Sequence, residues 1–163
     1  MDINNNIKKT YIQVLIDALE KKYKILNELM QITIRQKDII NSENFDDSEF
    51  MNTIEMKEKL ISGLSELDKG FELVYDHVRD ELQENGSIYK AEIASLKELV
   101  TKVTDLSVGL QALEKSNKTG LETLLSRKRK DIGKARLSNK TVASYYKSMS
   151  GDSNSYFYDK KLK

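Results

Sequence analysis

From Tyr11 to Ile39 the residues Tyr11, Leu15, Ala18, Ile25, Leu29, Ile32 and Ile39 follow alternating three- and four-residue steps, with Lys22 and Gln36 at the two polar steps. This is helical periodicity sustained over several turns. The 163-residue chain contains no proline, so nothing in it forces a helix to kink or stop. A second apolar row, Ile12, Ile16, Leu19, Tyr23, Met30 and Ile34, lies about 100–140° round the same helix. One row suffices to pair with one neighbour. Two rows give this first helix, expected over about 6–41, two partners.

Residues 41–48 (Asn-Ser-Glu-Asn-Phe-Asp-Asp-Ser) are rich in side chains that compete with the backbone for hydrogen bonds, so they read as a turn. Asp47 or Ser48 suits the N-cap of the next helix. That helix, expected over 48–84, carries Phe50, Ile54, Leu60, Ile61, Leu64, Leu67, Phe71, Val74, Tyr75, Val78 and Leu82. Asn85-Gly86 ends it, with Gly86 suited to the left-handed position after a helix. A third helix, expected over 88–135, carries Ile93, Leu96, Leu99, Val100, Val103, Leu106, Leu110 and Leu113, then Leu121, Leu124 and Leu125. Asn117 and Gly120 share that face. A polar residue at a seam fixes register at some cost in stability, and glycine in a helix interior costs about 1 kcal/mol relative to alanine, so the helix is expected to be less secure beyond Lys115.

Short connections imply antiparallel neighbours. The expected fold is all-α: an elongated, antiparallel, coiled-coil-like three-helix bundle over 1–136, followed by a flexible basic and aromatic tail over 137–163. The charge is divided in the same way. Residues 126–163 hold eleven Lys/Arg against three Asp, a net +8, which leaves 16 basic and 23 acidic residues, a net −7, in the remainder. Four of the eight tyrosines, Tyr145, Tyr146, Tyr156 and Tyr158, fall in the last nineteen residues, whereas unstructured segments are usually poor in aromatics.

Catalytic patterns are missing. The chain has no cysteine and one histidine, His77, and a single imidazole beside Asp76, Asp80 and Glu81 reads as a solvated helix surface rather than a metal site. Gly86, Gly109 and Gly120 stand alone and form no phosphate loop. Pairs such as Glu55/Glu58 and Glu66/Lys69 are ordinary exposed charges at helical spacing. Neither an enzyme nor a cofactor-binding protein is expected. The run Arg127-Lys128-Arg129-Lys130 suits phosphate or an anionic membrane surface, but it equally suits the negative end of a helix dipole. The acidic body would repel nucleic acid, so no nucleic-acid partner is expected. Met1–Thr10 lacks the basic-then-apolar order of a signal peptide, and no apolar run nears the ~20 residues of a membrane span. The expected compartment is the cytoplasm.

In order, the chain offers Leu15, Ala18-Leu19-Glu20-Lys21-Lys22-Tyr23, Leu26 and Leu29; then Gln36-Lys37-Asp38-Ile39-Ile40 and the break at 41–48. Ile54-Glu55, Lys57-Glu58-Lys59-Leu60-Ile61, Leu64 and Leu67 follow, and Tyr156-Phe157-Tyr158-Asp159-Lys160-Lys161 lies near the end. This order resembles the FlgN family of flagellar type III export chaperones over essentially the whole chain. The resemblance implies a cytoplasmic chaperone that binds C-terminal helical segments of hook–filament junction proteins (FlgK and FlgL) and delivers them to the membrane-bound export gate. Recognition would be helix-in-groove. Because the family binds clients through its C-terminal half, the resemblance points to Leu99, Val103, Leu106 and Leu110 as the client face. It also implies a C-terminal tyrosine that docks on the cytoplasmic domain of the gate protein FlhA, here Tyr145 or Tyr146, with the Tyr156 cluster as second choice. The alternative reading is a structural coiled-coil scaffold without a secreted client, a homodimer formed through the second row of the first helix.

Overall fold

A computed structural model describes residues 2–132, with side chains described for 6–127. Three helices account for nearly all of it: α1 (Asp2–Ile40), α2 (Asp47–Glu84) and α3 (Lys90–Ile132). Their 39, 38 and 43 residues correspond to rods of roughly 57–65 Å at 1.5 Å per residue. Among the described residues there is no strand.

Side-chain pairs fix the directions. Lys8 meets Glu81 and Arg35 meets Glu49, so α2 runs antiparallel to α1. Gly109 lies against Met30 and Gly120 against Ile40, so α3 returns parallel to α1. The closest packing is of α1 on α3 and of α1 on α2. The first helix is therefore the middle one, as its two apolar rows require.

That position refines which residues are deepest. The buried positions Leu15, Leu19, Lys22, Leu26, Leu29, Thr33, Gln36 and Ile40 make a three–four ladder running between the two rows read from the sequence. Tyr11, Ala18, Ile25 and Ile32 of the first row and Tyr23 and Met30 of the second are half-buried, and Ile34 is exposed. A helix wedged between two neighbours buries the line bisecting its two contact faces most completely.

The apolar core falls into two clusters. The larger gathers Ile12, Leu15, Ile16, Leu19, Leu26 and Leu29 with Phe71, Tyr75, Val78, Tyr89, Leu96, Val103 and Leu110. The smaller gathers Ile39, Ile40, Phe45, Phe50, Ile54, Leu121 and Leu125. Each fully buried side chain of this size stabilises the fold by roughly 1.5–3 kcal/mol. Leu121 and Leu125 continue the seam beyond Gly120, and α3 runs unbroken to Ile132. At Gly120 a Cβ would come 3.2 Å from Ile40 Cγ2. The residue that weakens the helix by propensity is the one that lets α3 approach the end of α1.

The start of α2 shifts by one residue, whereas its end at Glu84 falls where the sequence puts it. The N-cap is Asp46, one residue before the expected pair: its backbone is extended (φ −102°, ψ 107°) and its Oδ1 accepts from the Glu49 N–H at 3.1 Å. Such a cap contributes about 1 kcal/mol, reinforced by Asp47 and Glu49 in the positive first turn. At the other end Asn85 is the C-cap, its N–H bonding to the Glu81 carbonyl at 2.9 Å. Gly86 does not adopt the expected left-handed conformation. It serves instead through its size, since a Cβ would come 3.1 Å from the Leu82 carbonyl oxygen and 3.6 Å from Ile93 Cδ1. Gly86–Tyr89 forms a turn, so α3 begins at Lys90, later than the sequence pattern indicates.

Candidate functional site

The four residues expected to face a client divide into two pairs. Val103 is fully buried and Leu110 is 5% exposed, both inside the larger cluster. Leu99 and Leu106 are half-buried and pack against its edge. Leu113, also half-buried, continues their seven-residue spacing, so Leu99, Leu106 and Leu113 share one edge of α3. Gly109 locates that edge, because its Cα side meets the Met30 methyl: a Cβ there would be 3.5 Å from Met30 Cε. Met30 lies seven residues after the half-buried Tyr23, and the exposed Ile34 follows it one turn later. The seam between α1 and α3 is thus lined with partly uncovered apolar side chains on both lips.

Between the two apolar clusters lies a layer of buried polar side chains drawn from all three helices. Lys57 of α2 donates to Gln36 Oε1 of α1 at 2.9 Å and forms an ion pair with Glu114 of α3. Gln36 Nε2 in turn donates to Thr53 Oγ1 at 3.0 Å, and Thr53 donates to the Phe50 carbonyl at 2.5 Å. Thr33 Oγ1 lies 2.6 Å from the Leu29 carbonyl and 2.9 Å from Glu114 Oε1, so its single proton serves one of them. Asn117 Nδ2 donates to the Thr33 carbonyl at 2.9 Å. All six residues are buried. Burial pushes the Lys57 ammonium down to about 7, because removing a charge from water favours the neutral amine. Glu114 Oε2 is buried and accepts no hydrogen bond, an arrangement that costs about 1–3 kcal/mol.

A second buried pair lies within the span of the larger cluster, with Lys22 between Leu19 and Leu26 and Asp68 one turn before Phe71. Lys22 Nζ lies 3.1 Å from Asp68 Oδ1. Burial pushes Lys22 down to about 8 against the pull of the Asp68 carboxylate. Asp68 is raised by its own burial, which outweighs the opposing Lys22 ammonium. Near the α2–α3 turn, Lys8 bonds Glu81 at 2.8 Å and the buried Tyr89 hydroxyl donates to Glu81 at 3.3 Å. The hydrogen bond from Lys8 is the main influence holding Glu81 below the usual carboxylate range.

Lys22, Gln36 and Asn117 stand out in the sequence as polar residues at seam positions; Lys57, Asp68, Thr33 and Glu114 are interior positions that the sequence-based expectation does not include. A signal existed. Phe50, Ile54, Lys57, Ile61, Leu64, Asp68, Phe71, Tyr75 and Val78 step by alternating threes and fours, with Lys57 and Asp68 inside the ladder. Tyr89 and Phe45, both buried, were also passed over, because each lies in a connection rather than a periodic run.

His77 is exposed, and its ring stacks on Tyr11 with centroids 5.5 Å apart. Among the described residues no group of three or more His, Cys, Asp or Glu is placed to hold a metal ion. Within the same residues no helix is long and apolar enough to cross a membrane. Tyr145, Tyr146 and the Tyr156 cluster, with the proposed boundary at 136/137, lie outside the described residues.

The family described as FlgN protein matches residues 1–148 of the chain. No curated protein and no solved structure matches it.

Proposed function

The chain belongs to the FlgN family of flagellar export chaperones, and on that premise we propose that it binds C-terminal helical segments of FlgK- and FlgL-type hook–filament junction proteins in the cytoplasm. The observation that carries this reading is the half-covered seam between α1 and α3. Tyr23, Met30 and Ile34 on one lip and Leu99, Leu106 and Leu113 on the other offer apolar surface at heptad spacing, the form an amphipathic helix reads. Leu99 and Leu106 touch the client directly. Val103 and Leu110 stand behind them and hold α3 in place, and they reach a client only if α3 moves.

Delivery to the cytoplasmic domain of FlhA falls to the C-terminal segment, through Tyr145 or Tyr146. Its charge, opposite to that of the remainder, supports a separate docking role at the membrane-bound export apparatus. The scaffold alternative has less of the second α1 row to draw on. Ile12, Ile16 and Leu19 are buried within the chain's own core, which leaves a homodimer only Tyr23, Met30 and Ile34, the lip assigned here to the client.

Two variants separate the roles. Leu99→Lys/Leu106→Lys should abolish capture of the C-terminal fragment of a FlgK- or FlgL-type protein while retaining full helicity. Deleting residues 137–163 should keep the client and lose the export gate. Undiminished client capture by the double lysine variant would remove the seam from consideration.

A further inference from the structure

We propose that the polar layer of Thr33, Gln36, Thr53, Lys57, Glu114 and Asn117 divides the bundle into two cooperative units, so that the end holding Ile39–Ile54 and Glu114–Arg127 opens while the rest stays folded. The two apolar clusters share no residue, and the layer lies between them on each helix, at 33 and 36 on α1, 57 on α2, and 114 and 117 on α3. Thr53 joins it from beside Ile54 at the inner edge of the smaller cluster. Cooperativity passes between parts of a core through continuous apolar contact, and segments with few such contacts open separately. Here the continuity is replaced by an ion pair, two amide side chains and two hydroxyls.

The two sides differ in what resists opening. Among the described residues the larger cluster draws on thirteen buried side chains, the smaller on seven. Phe45 belongs to the α1–α2 connection, and Leu121 and Leu125 lie beyond the glycine contact at Ile40. The layer itself contains a buried carboxylate oxygen with no donor, and water entering on opening would solvate it. A buried ionic layer of this kind selects the pairing of the three helices more than it stabilises them. Opening would uncover Ile39, Ile40, Phe50, Ile54, Leu121 and Leu125 together, a contiguous apolar surface absent from the closed form.

Native-state hydrogen exchange on the full chain, read by mass spectrometry across a urea series, tests this. Amides of 39–57 and 115–127 are expected to exchange at least tenfold faster than those of 15–29 and 96–110, through an opening with a smaller urea dependence. Equal protection and equal urea dependence on both sides would overturn the proposal. Fraying of α3 alone could speed 115–127, so the layer is then replaced by apolar residues in Lys57→Met/Glu114→Leu. That variant should bring the two sides within about threefold of each other. If the tenfold gap survives in a folded double variant, or if only 115–127 exchanges early in the wild type, the layer is not the boundary.

Discussion

Lys22 Nζ and Asp68 Oδ1 meet 3.1 Å apart between α1 and α2, with both side chains less than a tenth exposed. A buried pair of this kind gains little net stability, because desolvating two ions offsets most of their attraction; removing one partner strands the other. Asp68→Ala should therefore destabilise the fold by about 3–5 kcal/mol. The double replacement Lys22→Met/Asp68→Leu should return stability to within about 1 kcal/mol of the wild type, or above it. Urea unfolding followed by circular dichroism measures both, and additive losses in the double variant would show that the pair holds the bundle together.

The buried lysines give the bundle an alkaline response. Burial holds Lys57 down to about 7 and Lys22 down to about 8 in the folded chain, below the ordinary lysine value of 10.5. Between those values the unfolded chain binds more protons, so stability rises with pH over that window. Asp68, raised in the fold, acts at the acid side: its contribution grows as pH falls through its folded value towards 3.8. The unfolding free energy from urea curves should increase from pH 7.5 to 10, by up to about 1.4 kcal/mol per pH unit for each lysine neutral in the fold, and Lys57→Met should flatten that slope. A midpoint that falls over the same range would mean that Glu114 and Asp68 hold the lysines charged.

Two glycines should respond in opposite ways. Nothing lies within 4 Å of a Cβ placed on Gly70, so Gly70→Ala should stabilise α2 by about 0.5–1 kcal/mol through lost backbone freedom in the unfolded chain. At Gly120 the same change drives a methyl towards Ile40 Cγ2, so the propensity gain should be cancelled or reversed. Comparing thermal midpoints of the two variants tests the contrast. Equal stabilisation at both would show that the α1–α3 approach is slack at that end.

Leu110 and Leu99 belong to the same helix and differ in what they do. Leu110→Ala empties a core position and should cost about 2–5 kcal/mol of stability. Leu99→Ala trims a half-covered edge, so its stability loss should be well below that of Leu110→Ala while client affinity drops. Calorimetric titration with a client peptide, beside unfolding curves, separates the effects. A Leu99 variant that loses stability as Leu110 does, yet binds normally, would place Leu99 in the core.

The three helices were readable because Tyr11–Ile39 and Phe50–Val78 repeat at helical steps without a proline, a local property that tertiary packing reinforces. The depth of each position was less readable. Which line of α1 is deepest depends on where α2 and α3 lie around it, and that relationship is written in no single helix. Lys57 falls inside an apolar ladder on its own helix, but its partner Glu114 lies on another helix, and their meeting is written in neither segment alone. Leu99 and Leu106 separate from Val103 and Leu110 by one helix edge, a distinction that the three-four pattern alone does not draw. The N-cap of α2 lies one residue before the expected pair because Asp46 has a side chain as capable of capping as Asp47 or Ser48.

The contact between Gly120 and Ile40 sets how far α3 overruns its neighbour. Ile40 ends α1, whereas α3 continues to Ile132, about twelve residues or roughly 18 Å further. The last part of α3 is thus a boom, carrying its cationic run past the end of α1 on the side of the α1–α2 turn. The tip of that boom, at Ile132, lies about 33 residues along α3 from Leu99, roughly 50 Å at 1.5 Å per residue. A helix seated on the seam at Tyr23 and Leu99 would leave the far end of α3 uncovered.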